Sequence, residues 1–256
     1  MRRKVASKRG FSLVELLVVL AIIALLISIL LPLLGRAQAQ AQLIKCESNL
    51  RQFGLACSMY ENDHKLFLPY SNWGPTQAFN NVNAGWLYTT PLTSNQSDVT
   101  TGVLWQYLNT IEVYHCPLHR PQDSSLLGVG ASNILTSYLM NGAINDFGAS
   151  APGSPSTGLP KAYLWKVSNF NWDDILMWEA DERGSAAWND GSSWPSETYN
   201  PSDPFYVGSG ARHIKYLSVL SMDGHVESMS ITDYWTLASS PLKNRLWCRC
   251  DTATGR

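Results

Sequence analysis

Leu13 to Leu34 is a run of 22 residues interrupted only by Glu15, Ser28 and Pro32. As a helix rising 1.5 Å per residue, it reaches about 33 Å, enough to cross a bilayer. Five positive charges precede it: Arg2, Arg3, Lys4, Lys8 and Arg9. All 20 acidic residues follow, beginning at Glu15. From Phe11 onward, 14 basic residues stand against those 20 acidic ones, a net of −6. The basic flank resists translocation and keeps the N-terminus in the cytoplasm. The run exceeds the apolar region of an ordinary secretory signal, and only Ala37, Ala39 and Ala41 offer a weak cleavage pattern. The acidic body offers nothing to attract a phosphate backbone, so no nucleic-acid partner is expected.

Glu15 is the anomaly in the run. A carboxylate in lipid is costly and usually has a partner and a task. The cheaper account is that Glu15 sits at headgroup level, since it lies near the start of the run.

The heptapeptide Arg9-Gly10-Phe11-Ser12-Leu13-Val14-Glu15 resembles the processing site of type IV prepilins and type II secretion pseudopilins. The resemblance implies cleavage between Gly10 and Phe11 and N-methylation of Phe11. It makes Glu15 the fifth residue of the mature chain, where it would neutralise the amine of a neighbouring subunit during assembly. Pro32 falls where that family often carries a helix-kinking proline. The implied partners are a prepilin peptidase/methyltransferase, other pilin-like subunits and an inner-membrane assembly platform. A charge pair between amine and Glu15 would be strong inside a low-dielectric helix bundle, and a lone Glu costly.

Beyond Gly35, residues 36–63 are rich in Ala, Gln and Leu and read as a helix. Leu43, Cys46, Leu50, Phe53, Cys57 and Tyr60 recur at spacings of 3 and 4, which makes one apolar seam. The seam predicts a helix packed on a globular core. Cys46 and Cys57 lie about 16 Å apart along such a helix and cannot pair with each other. Both read as small buried hydrophobes unless Cys116, Cys248 or Cys250 meets one.

The stretch Cys46-Glu47-Ser48-Asn49-Leu50-Arg51-Gln52 resembles a Cys-x-Ser-Asn-Leu-x-Gln pattern of a prepilin-like group of bacterial proteins. Cys116-Pro117 and Ser137-Tyr138-x-x-Asn141 resemble later elements of the same group, as does His213 followed by nine residues and then Asp223-Gly224. The group's C-terminal His-x9-Asp-Gly element is associated with processing.

From about Lys65 the chain turns to Trp, Tyr, Asn, Ser, Gly and Pro. A short helix is predicted at 103–109, and strands at 111–115, 137–141, 162–167, 174–179, 214–221 and 226–231. Asp223-Gly224 between the last two is a hairpin signal. Residues 149–160 read as a surface loop and 184–210 as a long insertion.

His213, Asp223 and His225 are a candidate metal-ligand set, since two His and a carboxylate suit Zn or Fe. A hairpin turn accounts for Asp223 without one, so no metal site is expected there. His115 and His119 flank Cys116, but Pro117 points to a turn. Asp173, Asp174, Glu179, Asp181, Glu182 and Asp190 form the densest acidic stretch. Ca2+ takes such oxygen ligands, and some major pseudopilins use it to hold a C-terminal loop. This stretch lacks EF-hand spacing and reads as a solvated face, so no cofactor is expected. Cys248-Arg249-Cys250 is too tight for a mutual disulfide, and one of the two could staple the C-terminus to Cys116. No nucleophile elbow, phosphate loop or His-Glu-x-x-His is present, so the chain does not read as an enzyme.

The expectation is an α+β, pilin-like protein: a long N-terminal transmembrane-plus-stalk helix packed on a small antiparallel sheet. Its divisions are a leader at 1–10, a transmembrane and polymerisation helix at 11–35, a stalk at 36–64 and a head at 65–256. The expected function is a processed structural subunit of a type II secretion pseudopilus or type IV pilus-like filament. It would be single-pass in the bacterial inner membrane, with an extracytoplasmic head. The alternative is a membrane-anchored module whose Trp-rich head (Trp73, Trp86, Trp165, Trp172, Trp188, Trp194) stacks on glycans or binds a partner.

Overall fold

The computed structural model describes residues 12–72, 85–89, 96–119, 135–145, 165–180, 191–193, 195, 213 and 215–255. The chain forms two compact units, Met1–Ala41 and Gln42–Arg256.

The first unit is described from Ser12, where helix α1 (Leu13–Asp63) begins. Ser12 caps it. Its hydroxyl accepts from the Glu15 N–H at 3.2 Å, and the Glu15 carboxylate accepts from the Ser12 N–H at 2.8 Å. This reciprocal capping box satisfies two donors at the helix start. The apolar residues that follow are exposed, and the helix is long and apolar enough to cross a membrane. The helix runs unbroken through Pro32. Pro32 supplies no N–H to the Ser28 carbonyl, while the Ser28 hydroxyl donates to the Leu25 carbonyl at 2.7 Å.

In the second unit, α1 carries its seam into the core. Cys46, Leu50, Phe53, Cys57 and Tyr60 are buried, as the 3-and-4 spacing requires. Phe53 meets Trp86, Tyr114 and Tyr138 edge-on, with ring centroids 5.5, 5.1 and 5.7 Å away. The seam packs on one face of a sheet built from β1 (Tyr138–Asn141), β2 (Ile175–Glu179), β3 (Ser192–Ser193), β4 (Tyr216–Ser221) and β5 (Val226–Ser230). The order is β3-β1-β2-β4-β5. Four strands pair antiparallel, and the two-residue β3 pairs parallel with β1 at the edge. The result is an α+β fold of the pilin-like kind.

Helix α3 (Ile231–Ser239) covers the opposite face. The Ser230 hydroxyl caps it by accepting from the Asp233 N–H at 3.0 Å. Tyr234 and Ala238 pack beneath Trp178, Leu217 and Val219. With a helix on each side, β1 and β2 are buried throughout.

The pairing of β2 with β4 shifts register between Ile175 and Met177, an irregularity of the β-bulge kind. Alternation alone would put Ile175, Met177 and Glu179 on one face. The shift instead sends Ile175 to the α3 side and both Leu176 and Met177 to the α1 side. Glu179, two residues past Met177, follows it toward α1.

Several segments depart locally from what their sequence predicts. Residues 111–115 are not a strand: Ile111–Tyr114 is a 3-10 turn. Helix α2 (Trp105–Leu108) ends at Asn109 in a left-handed conformation, with φ 51°. The chain then turns tightly, and the adjacent Val113 and Tyr114 both enter the core. A half-buried strand would have sent them to opposite faces. The helix expected at 103–109 is only the four residues of α2, and Lys166 makes one bridge to Phe67 before a 3-10 turn at Val167–Asn169. Ile231 starts α3 instead of ending β5. The loop at 149–160 lies outside the described residues.

Candidate functional site

Four potential ligand atoms meet beneath the sheet: the Cys46 and Cys116 sulfurs, a Glu179 oxygen and a His213 ring nitrogen, all within 4.8 Å of one another. Cys46 comes from α1 and Glu179 from the end of β2. Cys116 follows the 3-10 turn at Ile111–Tyr114, and His213 precedes β4. His213 Nε2 lies 3.4 Å from Glu179 Oε2 and 3.6 Å from Cys116 Sγ. Cys46 Sγ lies 3.8 Å from Glu179 Oε1. The His213 and Glu179 side chains are only 4% and 2% exposed.

A scaffold of hydrogen bonds holds these residues. Asn49, one turn along α1 from Cys46, donates to the His115 carbonyl at 2.9 Å and to the Tyr138 hydroxyl at 3.3 Å. That fixes the segment entering Cys116. The Cys116 N–H donates to the Ser137 hydroxyl at 2.9 Å. The Cys116 sulfur in turn accepts from the Leu118 N–H at 3.4 Å.

The electrostatics follow from crowding charge-prone groups in a dry place. Burial pulls the His213 imidazole down, but hydrogen bonds to Cys116 and Glu179, with the Glu179 charge, outweigh it and push it up to about 9. Burial pushes the Cys116 thiol well up.

The residues singled out in the sequence fall apart into separate groups. His213 joins Cys46, Cys116 and Glu179, not Asp223 and His225. Asp223 and His225 are exposed in the β4–β5 turn, where Asp223 Oδ1 accepts from the His225 N–H at 2.9 Å. Gly224 has φ 86° in that turn. His115 and His119 pair ring to ring at 4.8 Å, outside the four-atom group. The acidic stretch is not a single solvated face: Asp174 and Glu179 are buried, and Asp181, Glu182 and Asp190 lie outside the described residues. All five cysteines are free thiols. Cys116 sits by Cys46, whereas Cys248 accepts from the Asn141 amide at 3.6 Å.

No sequence spacing groups Cys46, Cys116 and Glu179 with His213; the one signal is that Cys46, Cys116 and His213 each stand in a motif of their own. Of the tryptophans noted, Trp86 is buried, Trp165 half-buried and Trp172 exposed at 68%. Trp73, Trp188, Trp194 and the insertion around them lie outside the described residues, apart from residues 191–193 and 195.

At the N-terminus, Glu15 lies in the first turn of α1, and Pro32 lies within the same helix. Gly10 and Phe11 lie outside the described residues. No curated protein and no solved structure matches the chain. Residues 6–31 match a family model, the prokaryotic N-terminal methylation motif. This segment, from the basic leader into the apolar helix, therefore carries the prepilin-type cleavage and methylation motif.

Proposed function

We propose that the chain is a structural pilin-like subunit. It would be cleaved after Gly10 by a prepilin peptidase, methylated on Phe11 and assembled through its apolar helix into a type II secretion pseudopilus or type IV pilus-like filament. The observation that carries this reading is the methylation motif at residues 6–31 running into an exposed apolar helix. That helix exposes side chains such as Leu17, Leu25 and Leu31, which need lipid or other subunits as cover.

The precursor would sit once through the inner membrane with its basic leader in the cytoplasm and residues 65–256 outside. Cleavage on the cytoplasmic side removes five charges and leaves the helix in place. The leader (1–10), polymerisation helix (11–35), stalk (36–64) and head (65–256) are the working divisions of this reading. Pro32 would let the helix bend between lipid and filament core. The subunit's work is to be a building block, with no catalytic role.

The test is expression of the full chain with and without an active prepilin peptidase, followed by mass spectrometry of the N-terminal peptide. The expected product begins at singly methylated Phe11. A chain that keeps residues 1–10 beside an active peptidase, or is cut near Ala41, overturns the reading.

A further inference from the structure

We propose that Cys46, Cys116, Glu179 and His213 bind one Zn2+ ion, which ties the stalk portion of α1 to the sheet. Two thiols, an imidazole and a carboxylate form a mixed donor set of soft sulfur, borderline nitrogen and one hard oxygen. It suits Zn2+ and does not suit Ca2+ or Mg2+, which take oxygen ligands.

The spacing fits. A tetrahedral ion with metal–sulfur bonds of about 2.3 Å and metal–nitrogen or –oxygen bonds of about 2.0–2.1 Å has ligand–ligand edges of roughly 3.3–3.8 Å. The His213–Glu179, Cys116–His213 and Cys46–Glu179 separations are 3.4, 3.6 and 3.8 Å. The Cys116–His213 separation is that of such an edge, the two Glu179 distances reach different oxygens of its carboxylate, and all four ligand atoms lie within 4.8 Å, so small side-chain shifts close the group on an ion. The 3.4 Å His213–Glu179 contact is long for a nitrogen–oxygen hydrogen bond, while the two sulfur contacts have the lengths of ordinary hydrogen bonds to sulfur.

Burial decides the kind of site. Cys46 is 0% and Cys116 2% exposed, and the two other side chains are nearly as enclosed. Four protein ligands fill the coordination sphere and leave no position for a substrate, which is the pattern of a structural zinc. A supporting shell is also present. The Leu118 N–H pointing at Cys116 Sγ stabilises a thiolate, and Asn49 and Ser137 brace the Cys116 segment.

The ion would do what local sequence cannot. Its ligands come from positions 46, 116, 179 and 213, and none of them is a chain neighbour of another. Joining them closes three long loops at once, and the binding free energy becomes folding free energy. Binding releases the two thiol protons, and the proton that the imidazolium form of His213 carries, to solvent; the two thiolates and the Glu179 carboxylate then exceed the ion's charge by one. The His of the His-x9-Asp-Gly element thereby gains a task distinct from that of its Asp-Gly.

The test uses the full chain in detergent with a phosphine reductant. Elemental analysis is expected to find about one zinc per chain. Stripping it with a chelator should lower Tm by ~10 °C, and adding Zn2+ back should restore it. Co2+ added to the stripped chain should give thiolate-to-cobalt charge-transfer absorption and the intense visible bands of a tetrahedral site, both abolished by Zn2+. Cys46→Ser and His213→Ala should lose the metal, whereas the paired change Asp223→Asn with His225→Ala should keep it.

Three results would overturn the site. One is a reduced wild-type chain that takes up neither Zn2+ nor Co2+. Another is a cobalt spectrum without thiolate charge transfer. The third is a Cys46–Cys116 disulfide in chain isolated from its membrane. None of these readouts depends on cleavage at Gly10, so the site and the filament reading fail separately.

Discussion

Gly54 of α1 rests directly on Gly224 of the β4–β5 turn. A Cβ built at Gly54 would lie 3.3 Å from the Gly224 Cα and 3.1 Å from the Leu220 Cδ1. The two glycines serve different ends. Gly54 lets the helix come close, whereas Gly224 supplies φ 86° and leaves open space around its own Cβ position. Gly54→Ala trades a tight fit against about 1 kcal/mol of helix propensity, so its stability should lie within about 1 kcal/mol of the parent. Gly54→Val adds bulk that the turn cannot yield to and should cost about 2–3 kcal/mol. Gly224→Ala should cost about 1–2 kcal/mol from its backbone angle alone. Urea denaturation of the three variants checks this ordering; a Gly54→Val chain as stable as the parent would show that helix and turn do not touch.

Asn141 closes the motif Ser137-Tyr138-x-x-Asn141 and is fully buried. Its amide donates to the Ile175 carbonyl at 2.8 Å and the Leu246 carbonyl at 2.9 Å, while its oxygen accepts from the Ala143 N–H at 3.0 Å. One side chain thus ties β1 to β2 and to the C-terminal segment. Asn141→Ala strands those buried groups and should cost about 3 kcal/mol. Asn141→Asp should be worse at pH 7, because a carboxylate would face two carbonyl oxygens. Thermal melts of both variants test the ranking.

The motif segments were legible because each has a local cause. The seam on α1 announces itself by spacing, and Asp223-Gly224 by the φ that only glycine takes easily. Strands β1, β2, β4 and β5 stand where short runs of apolar and β-branched residues stand. Residues 111–114 carry the same composition but form a turn, because the left-handed Asn109 redirects the chain before a strand can start. The four-residue cluster was not legible for a deeper reason. Its members have no fixed spacing, and the register shift between Ile175 and Met177 breaks the alternation from which the face of Glu179 could be read along β2. A one-residue irregularity decides which face a side chain takes, and composition does not encode it.

Glu15 caps α1, and the filament reading gives it a second task in assembly; one substitution distinguishes the two. Its carboxylate accepts from the Ser12 N–H at 2.8 Å, which caps α1. A glutamine retains that acceptor and removes the charge. Under the filament reading, Glu15→Gln should still be cleaved and methylated at Phe11 but should fail to assemble. Mass spectrometry of the N-terminal peptide and electron microscopy of sheared filaments report the two steps. Normal filaments from Glu15→Gln would remove the amine-pairing role and leave the cap as the reason for a glutamate here.

Asp174 sets a pH dependence of the less common sign. It is buried at the start of β2, and burial pushes its carboxyl above the ordinary value of 3.8 despite hydrogen bonds from Asn171. The folded chain therefore holds this proton more tightly than the unfolded chain does. Stability from this group is fully present below the unfolded value and is lost as pH rises through the folded one. Asp174→Asn keeps an oxygen to accept from the Asn171 N–H, now 2.8 Å from the carboxylate, and removes the buried charge. The variant should melt higher than the parent at pH 7, and the advantage should shrink toward zero as pH falls below the ordinary carboxylate range. Thermal melts of parent and variant across pH 3 to 7, roughly the span of carboxylate titration, measure the difference. A variant that is less stable than the parent at pH 7 would mean that the ionised carboxylate gains more from Asn171 and Lys243 than burial takes away.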